Sequence, residues 1–474
     1  MAGMAKSREI IRRIGLAAIV GLLSGPAMAQ TKAVPATRGE AQLSYAPVVR
    51  QVSPAVVNVY ATRVVRERAA LFDDPLFQRF FGGNSPFAGR DRMQQSLGSG
   101  VIVGADGMVV TNNHVIEGMT DVRVALVDQR EFDADIVLTD VRSDLAVLKI
   151  RGAKDGFATL PLAEADQAEV GDIVLAIGNP YGLGQTVTTG IVSALRRVQL
   201  GEGEQRVFIQ TDAAINAGNS GGALVDMAGR LIGINTAIFS RSGGSDGIGF
   251  ATPSPIVKVV VDAARAGSKV VRRPWFGADL QVVTRELADN LGLDRPTGAL
   301  VADVSKDSPA ARAGLVAGDL VTALDGRPIE DPAQFTYAFT TRPMGSTVDL
   351  KVWRNSKNLS VRVRVEPAPE ITPRDQLVIR GDGPFAGAEV VNLSPAVSEE
   401  LGLQGRSSGV VIVDVKAGSP AARINFQKGD RILALNDEPV TSTRELERLN
   451  TARRSLWKVS IQRGGQVLTQ VLRF

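Results

Sequence analysis

The 474-residue chain has no cysteine and a single histidine, His114. Without thiols there can be no disulfide framework, no thiol nucleophile and no thiolate metal site, and one imidazole cannot make a histidine-rich metal centre. Neither a metal nor a cofactor is therefore expected. Surplus charge is scarce as well. The formal net charge is +4, but Lys6, Arg8, Arg12 and Arg13 set against Glu9 place most of it in the first 13 residues, leaving about +1 for everything after them. No nucleic-acid footprint follows from such a balance. Aromatic residues make up 5% and charged residues 22%, while 44% hydrophobic residues suffice for packed cores. That composition excludes a largely disordered chain and a collagen-like repeat. At roughly 100–200 residues per domain, the length asks for two to four domains.

A long apolar run is also missing. The longest candidate, Ile14 to Leu23, covers only about half of the ~20 residues that span a bilayer, so no stable membrane span is expected. It follows a basic stretch and precedes Ala27-Met28-Ala29, the small-residue pattern of a signal-peptidase site. Residues 1–29 thus have the form of a secretory signal cleaved after Ala29, which predicts a mature chain in a bacterial periplasm.

From about Pro47 to Ala251 short β-rich runs alternate with glycine-containing turns: AVVNVYATRVV, GSGVIV, MVVTNNHV, VRVALV, LAVLKI, DIVLAIG, TVTTGIVSAL, RVFIQT, GALV and LIGINTAIF. Many short strands at this spacing predict a mainly β barrel or sandwich. Ser254-Pro255 then has the form of a helix N-cap followed by proline, and IVKVVVDAARA runs to Gly267 as a stop. Beyond it the chain repeats itself. Residues 298–329 align without gaps on 409–440 at an offset of 111, and GADL at 277–280 matches GAEV at 387–390 at an offset of 110. Two copies of one module of ~90 residues are the simplest account. The proline-rich, polar stretch 367–376 between them reads as a linker. One segment breaks the β pattern: 67–95 carries Phe72, Phe77, Phe80, Phe81 and Phe87, five of sixteen phenylalanines. It must pack locally, or serve as a gate or assembly contact.

Three strings carry chemistry: TNNHV at 111–115, SDLAVLKI at 143–150 and GNSGGALV at 218–225. In order they offer His114, Asp144 and Ser220. A serine hydroxyl is a poor nucleophile unless an imidazole removes its proton, and that imidazole needs a carboxylate to fix its tautomer. His114 is the one available base; Asp172 and Asp212 are rivals of Asp144, which is favoured by its place before an apolar strand 30 residues after His114. The order His, Asp, Ser is that of chymotrypsin-like enzymes. Glycines around Ser220 let the amides of Gly218 and Ser220 turn toward a developing oxyanion.

These strings, with IGNP, QTDAAINAGNSGGAL and GIGFATP, resemble the HtrA family of ATP-independent serine endoproteases over nearly the whole mature chain. The resemblance implies a chymotrypsin-like double β-barrel protease domain (40–268) followed by two PDZ domains (274–366 and 381–474) joined by a linker (367–380). His114, Asp144 and Ser220 would be the catalytic triad, and Gly218, Asn219 and Ser220 the oxyanion turn. In chymotrypsin-like enzymes the residue six before the nucleophile floors the specificity pocket. Here it is Ala214, and with Ile215, Ile248 and Phe250 as apolar lining it predicts cleavage after small or branched aliphatic residues. Stretches 178–186, 197–206 and 240–248 fall where activation, sensor and specificity loops lie. Trp275-Phe276-Gly277-Ala278 would be the peptide-binding loop of the first PDZ copy. Phe385-Ala386-Gly387-Ala388 in the second departs further from the usual loop and suggests assembly instead. The resemblance also implies unfolded or damaged envelope proteins and their C-terminal peptides as partners, and homotrimers or higher multiples of trimers. Two other readings fit fewer of these features: a non-catalytic PDZ holdase or scaffold, and a regulatory stress-sensing protease.

Overall fold

A computed structural model describes residues 44–66, 91–152, 156–163, 168–179, 184–199, 205–216, 218–238, 247–403, 408–452 and 454–473. The signal-like residues 1–29, most of the phenylalanine-rich segment, and parts of each of the three loop stretches lie outside them.

The first six strands are β1 (Val56–Arg66), β2 (Asp91–Gly104), β3 (Met108–Thr111), β4 (Asp121–Ala125), β5 (Glu131–Asp140) and β6 (Leu145–Ile150). They close into a barrel in the order β1-β2-β3-β6-β5-β4. Closure removes the unpaired edges that an open sheet would present. The β1–β2 ladder fixes the register, from Val56 opposite Val101 to Arg66 opposite Asp91. In β4 the alternation is simple: Val122 and Val124 are buried while Asp121 and Arg123 face outward, as a half-buried strand requires.

A second closed barrel follows in the order β10-β11-β12-β9-β8-β7. Its strands are β7 (Ile173–Gly178), β8 (Thr186–Gln199), β9 (Gln205–Thr211), β10 (Ala223–Val225), β11 (Leu231–Ile238) and β12 (Gly249–Pro253). The sequence patterns missed β5. In β5, EFDADIVLTD buries only a few of its ten residues and so shows no clean alternation. In β12, GFATP is buried throughout and carries its proline at the last position, where a missing N–H is tolerated better than in a strand's interior.

Two short helices matter to this domain. One turn, α1 (Asn113–Ile116), interrupts the run after β3. The longer α2 (Ser254–Arg265) buries Val257, Val260, Val261 and Ala264 in the same core as the first barrel. Its N-cap is Pro253 and its first residue Ser254; Ser254 does not cap it, because its hydroxyl is spent on the carbonyl of Ala163 at 3.2 Å. Gly267 ends it with φ +69°, the left-handed stop expected there.

The two repeats fold alike. The first holds β13 (Pro274–Trp275), β14 (Ala278–Val282), β15 (Ala299–Val304), β16 (Leu320–Leu324), β17 (Arg327–Pro328), α3 (Pro332–Thr340), β18 (Thr347–Arg354), β19 (Lys357–Arg364) and β20 (Glu366–Pro367). Its main sheet runs β14-β15-β16-β18-β19, which leaves β14 at an edge. The second holds β21 (Leu377–Val378), β22 (Ala388–Asn392), α4 (Pro395–Glu400), β23 (Val410–Val415), β24 (Arg431–Leu435), β25 (Glu438–Pro439), α5 (Thr443–Asn450), β26 (Leu456–Arg463) and β27 (Gln466–Arg473). Its sheet runs β21-β22-β23-β24-β26-β27. Each copy buries one aspartate against an arginine fork: Asp319 with Arg354 (2.5 and 2.6 Å), and Asp430 with Arg463 (2.6 Å twice). Bidentate pairing of this kind is what makes a fully buried carboxylate tolerable. The stretch expected to be a free linker differs from that expectation: by Leu377–Val378 it is a strand of the second repeat's sheet.

Candidate active site

The strings TNNHV and SDLAV interlock before any side-chain chemistry begins. Asp144 has φ +52°, a left-handed conformation that aspartate tolerates better than most residues. Its carbonyl is held in place by the amide of Asn113 (3.1 Å) and by Nδ2 of Asn112 (2.9 Å). So oriented, the carboxylate takes hold of His114 twice. Oδ1 accepts the backbone N–H of His114 at 3.0 Å, and Oδ2 lies 2.6 Å from Nδ1 of the ring. Asp144 is 14% exposed and His114 47%, so the carboxylate is sheltered while the imidazole keeps an open face. A bond at Nδ1 fixes the tautomer that leaves Nε2 free to accept a proton.

Ser220 sits on the turn that leads into β10. Its hydroxyl donates to the carbonyl of Thr236 at 3.4 Å rather than to His114. Ser99, buried in β2, organises this turn. Its amide donates to the carbonyl of Ser220 at 2.8 Å, its hydroxyl donates to the carbonyl of Gly218 at 2.6 Å, and the same oxygen accepts the amide of Asn179 at 2.8 Å. The peptide between Gly218 and Asn219 is fixed at its other end too, where the Asn219 N–H donates to the carbonyl of Asn216 at 3.0 Å. Gly221 has φ +83°, and a Cβ there would collide with the carbonyl of Ser99. The glycine directly after the nucleophile is thus required by the approach of β2.

A polar bridge joins the two barrels beneath these residues. Asn112 donates to Oγ1 of Thr236 at 3.2 Å, Thr236 and Thr252 share a hydrogen bond at 3.0 Å, and Thr252 reaches the carbonyl of Ser143 at 3.4 Å. On the outer side of the same turn Arg142 pairs with Glu399 of α4 at 2.6 Å, and Arg273 and Ser143 both donate to Asp140. Burial raises the Glu399 carboxyl above its ordinary range against the opposing pull of Arg142, and lowers the Arg142 guanidinium. Ser99, Asn112, Thr236, Ser143 and the Asp140–Arg273 pair were not singled out by sequence reasoning. Each acts through a contact that spans tens of residues, and none carries a local signature.

The remaining expected site residues fall in two places, the second barrel and the first repeat. Ala214 is half-buried and its carbonyl accepts the Thr188 hydroxyl at 2.8 Å. Ile215 is 1% exposed and packs in the second barrel's core. Ile248 is half-buried, and Phe250 leans on Phe208 at 5.7 Å. In the first repeat Trp275 pairs with Glu366 and Ala278 opens β14. Gly277 has φ +74°, and Phe276 packs on Phe335 and Phe339 with ring centroids 4.6 and 5.3 Å away. No group of three or more candidate metal ligands occurs among the described residues.

Comparison with known proteins agrees with this architecture. The trypsin-like peptidase domain family matches residues 98–234, and the PDZ domain family matches 274–365 and 384–472. The chain is 38% identical over 480 residues to the periplasmic serine endoprotease DegP of Escherichia coli (strain K12), covering 96% of this chain and 97% of that one. It is 39% identical over 426 residues to a probable DegP-like periplasmic serine endoprotease of Pseudomonas fluorescens, covering 86% and 88%. Among solved structures, the HtrA-type protease AlgW with a decapeptide superposes with a TM-score of 0.51 at 45% identity, covering 69% of this chain and 99% of that one.

Proposed function

Since this chain belongs to the HtrA family of serine endoproteases, we propose that His114, Asp144 and Ser220 form its catalytic triad and that it degrades unfolded or damaged proteins of the periplasm. The observation that carries the reading is the double hold of the Asp144 carboxylate on His114, at 3.0 Å to the backbone and 2.6 Å to the ring. In this reading the Ser220 hydroxyl swings away from Thr236 and gives its proton to Nε2 of His114 as its oxygen attacks the scissile carbonyl. Asp144 then stabilises the imidazolium, and His114 returns the proton to the leaving amine. The amides of Gly218 and Ser220 receive the oxyanion, and Ser99 keeps their turn in place. No step calls for a cofactor.

The half-buried Ala214 and Ile248 and the ring of Phe250 supply no acidic group to neutralise a buried cation, so the cut falls after small or branched aliphatic residues. Sequenced products of a denatured substrate check this; predominant cleavage after lysine or arginine overturns it. The edge strand β14 beside Gly277 takes the C-termini of unfolded chains as an added strand; the presence of a decapeptide with AlgW is in keeping with such recognition. Export after cleavage at Ala29 and assembly into trimers complete the proposal, and the mass of the secreted protein in solution tests both.

The decisive experiment on the triad is Ser220→Ala. Casein cleavage should fall roughly a million-fold, with the melting point and binding of unfolded casein preserved. A variant that still degrades casein refutes the assignment.

A further inference from the structure

We propose that the second PDZ repeat is filled by its own chain: residues 374–379 lie in its peptide groove as an internal ligand, and the groove accepts no incoming peptide in that state. The proposal goes beyond the peptidase reading and does not depend on it.

A PDZ ligand adds to the sheet edge antiparallel to the strand that follows the glycine loop, with its last residue next to that loop. In the second repeat this strand is β22, and its edge is occupied. Leu377 pairs with Val390 and Val378 with Glu389, antiparallel, with the C-terminal end of the segment toward Gly387. The ladder extends beyond these pairs. The amide of Asn392 donates to the carbonyl of Arg374 at 2.8 Å, and the amide of Ile379 to the carbonyl of Ala388 at 2.9 Å. Most tellingly, the amide of Gly387 donates to the carbonyl of Ile379 at 2.9 Å. That glycine is the counterpart of Gly277, so a main-chain carbonyl stands where a terminal carboxylate would be received. The chain continues past it, and the carbonyl of Arg380 is taken by Nδ2 of Asn450 at 3.2 Å.

The side chains explain why the two copies differ. In the first, Phe276, Phe335 and Phe339 close on one another and fill the space behind the loop. Their counterparts in the second copy are Ala386, Leu446 and Asn450. Three smaller residues would leave a hole, and holes are costly at about 24 cal/mol per Å³. Ile379 is 1% exposed and belongs to the buried cluster that includes Phe385, Leu446 and Leu449. The edge strands respond accordingly. Val282 of β14 is 63% exposed, whereas its counterpart Asn392 is 4% exposed. The ligand class of this groove is thus an extended internal segment with isoleucine at the loop, and the chain itself supplies it.

The test uses full-length Ser220→Ala protein and a fluorescent decapeptide ending in a free valine carboxylate, with amide exchange followed site by site. One peptide per chain is expected. Saturation should slow exchange at Gly277 and Val282 at least tenfold, while Gly387 and Asn392 exchange slowly from the outset and change less than twofold. A Val378→Cys/Glu389→Cys pair locks the segment with the chain's sole disulfide; it should leave stoichiometry unchanged and affinity within twofold. Ile379→Asp should speed exchange at Gly387 and Asn392 at least tenfold. Peptide-induced slowing at Gly387 and Asn392, two sites per chain falling to one on locking, or rapid exchange at Gly387 and Asn392 in the unliganded protein overturns the proposal. A peptide that binds neither repeat refutes the receptor role of the first repeat and, with Gly387 already protected, supports the filled groove of the second.

Discussion

Ser99→Ala removes one hydroxyl and nothing else, yet that hydroxyl touches both sides of the nucleophile's turn. Ser99 has no exposed surface, and its backbone bonds to Ser220 and Thr111 survive the change. What is lost is the 2.6 Å bond to the Gly218 carbonyl and the 2.8 Å bond from the Asn179 amide. One acceptor and one donor in a dry environment are left without a partner, at about 1–3 kcal/mol each. A stability loss of about 2–6 kcal/mol follows, and a melting point lower by about 5–20 °C. The catalytic effect is separate. Freed from Ser99, the Gly218–Asn219 peptide is held only through the Asn219 N–H, and the flanking amides of Gly218 and Ser220 lose part of their alignment on the oxyanion, an effect of up to about 10²-fold on kcat. Substrate binding is untouched, so KM should stay within about twofold. Steady-state kinetics on a short chromogenic peptide below the melting point of the variant, with affinity for a peptide boronate in parallel, separate the two effects. A variant that melts early but keeps its kcat and its boronate affinity would reduce Ser99 to a packing residue and refute the reasoning.

Two other changes probe the same neighbourhood. A Cβ on Gly178 would lie 2.8 Å from the Cα of Asn219; Gly178→Ala should therefore push the oxyanion turn and lower kcat more than about tenfold, whereas Gly156→Ala, which meets nothing within 4 Å, should leave peptide hydrolysis unchanged. For Glu399, whose burial raises its pKa above the usual 4.5, the folded state binds the proton more tightly than the unfolded one, so its contribution is full below the unfolded value and is lost as pH rises through the raised one. The melting point of the native protein should gain on that of Glu399→Gln as the buffer is taken down from neutral toward 4.5, and a difference that stays flat with pH would contradict the assignment.

Much of the fold was legible because its signals are local. The valine-rich runs of β1, β3, β6 and β7 announce strands by composition, and the gapless repeat announces two copies of one unit without any structural knowledge. What escaped were elements whose reason is distant. β5 reads as polar because most of one face meets solvent. Residues 367–376 read as a linker because PAPEITPRDQ is proline-rich and polar. Its last residues, with the two that follow, nevertheless order on β22, which lies further along the chain and supplies their backbone partners.

The site divides along the same line. His114, Asp144 and Ser220 could be picked out because catalysis restricts residue type: one imidazole in the chain, an acid before an apolar strand, a serine among glycines. Positioning restricts geometry instead, and many residue types can satisfy it. Nothing in GSGVIV says that its serine will hold a turn 119 residues away, and nothing in TNNHV says that its first asparagine will bind both the carbonyl behind Asp144 and a threonine of the other barrel. Yet these contacts decide whether the chemistry can occur. Asp144 reaches His114 only while its left-handed backbone is held, and Asn112 and Asn113 hold it. Asn112 is itself fixed by Thr236, the residue whose carbonyl receives the resting Ser220 hydroxyl. The acid–base pair of one barrel and the nucleophile of the other therefore share an anchor, so that separating the barrels by even an ångström would loosen the Asp144 turn and displace Ser220 together.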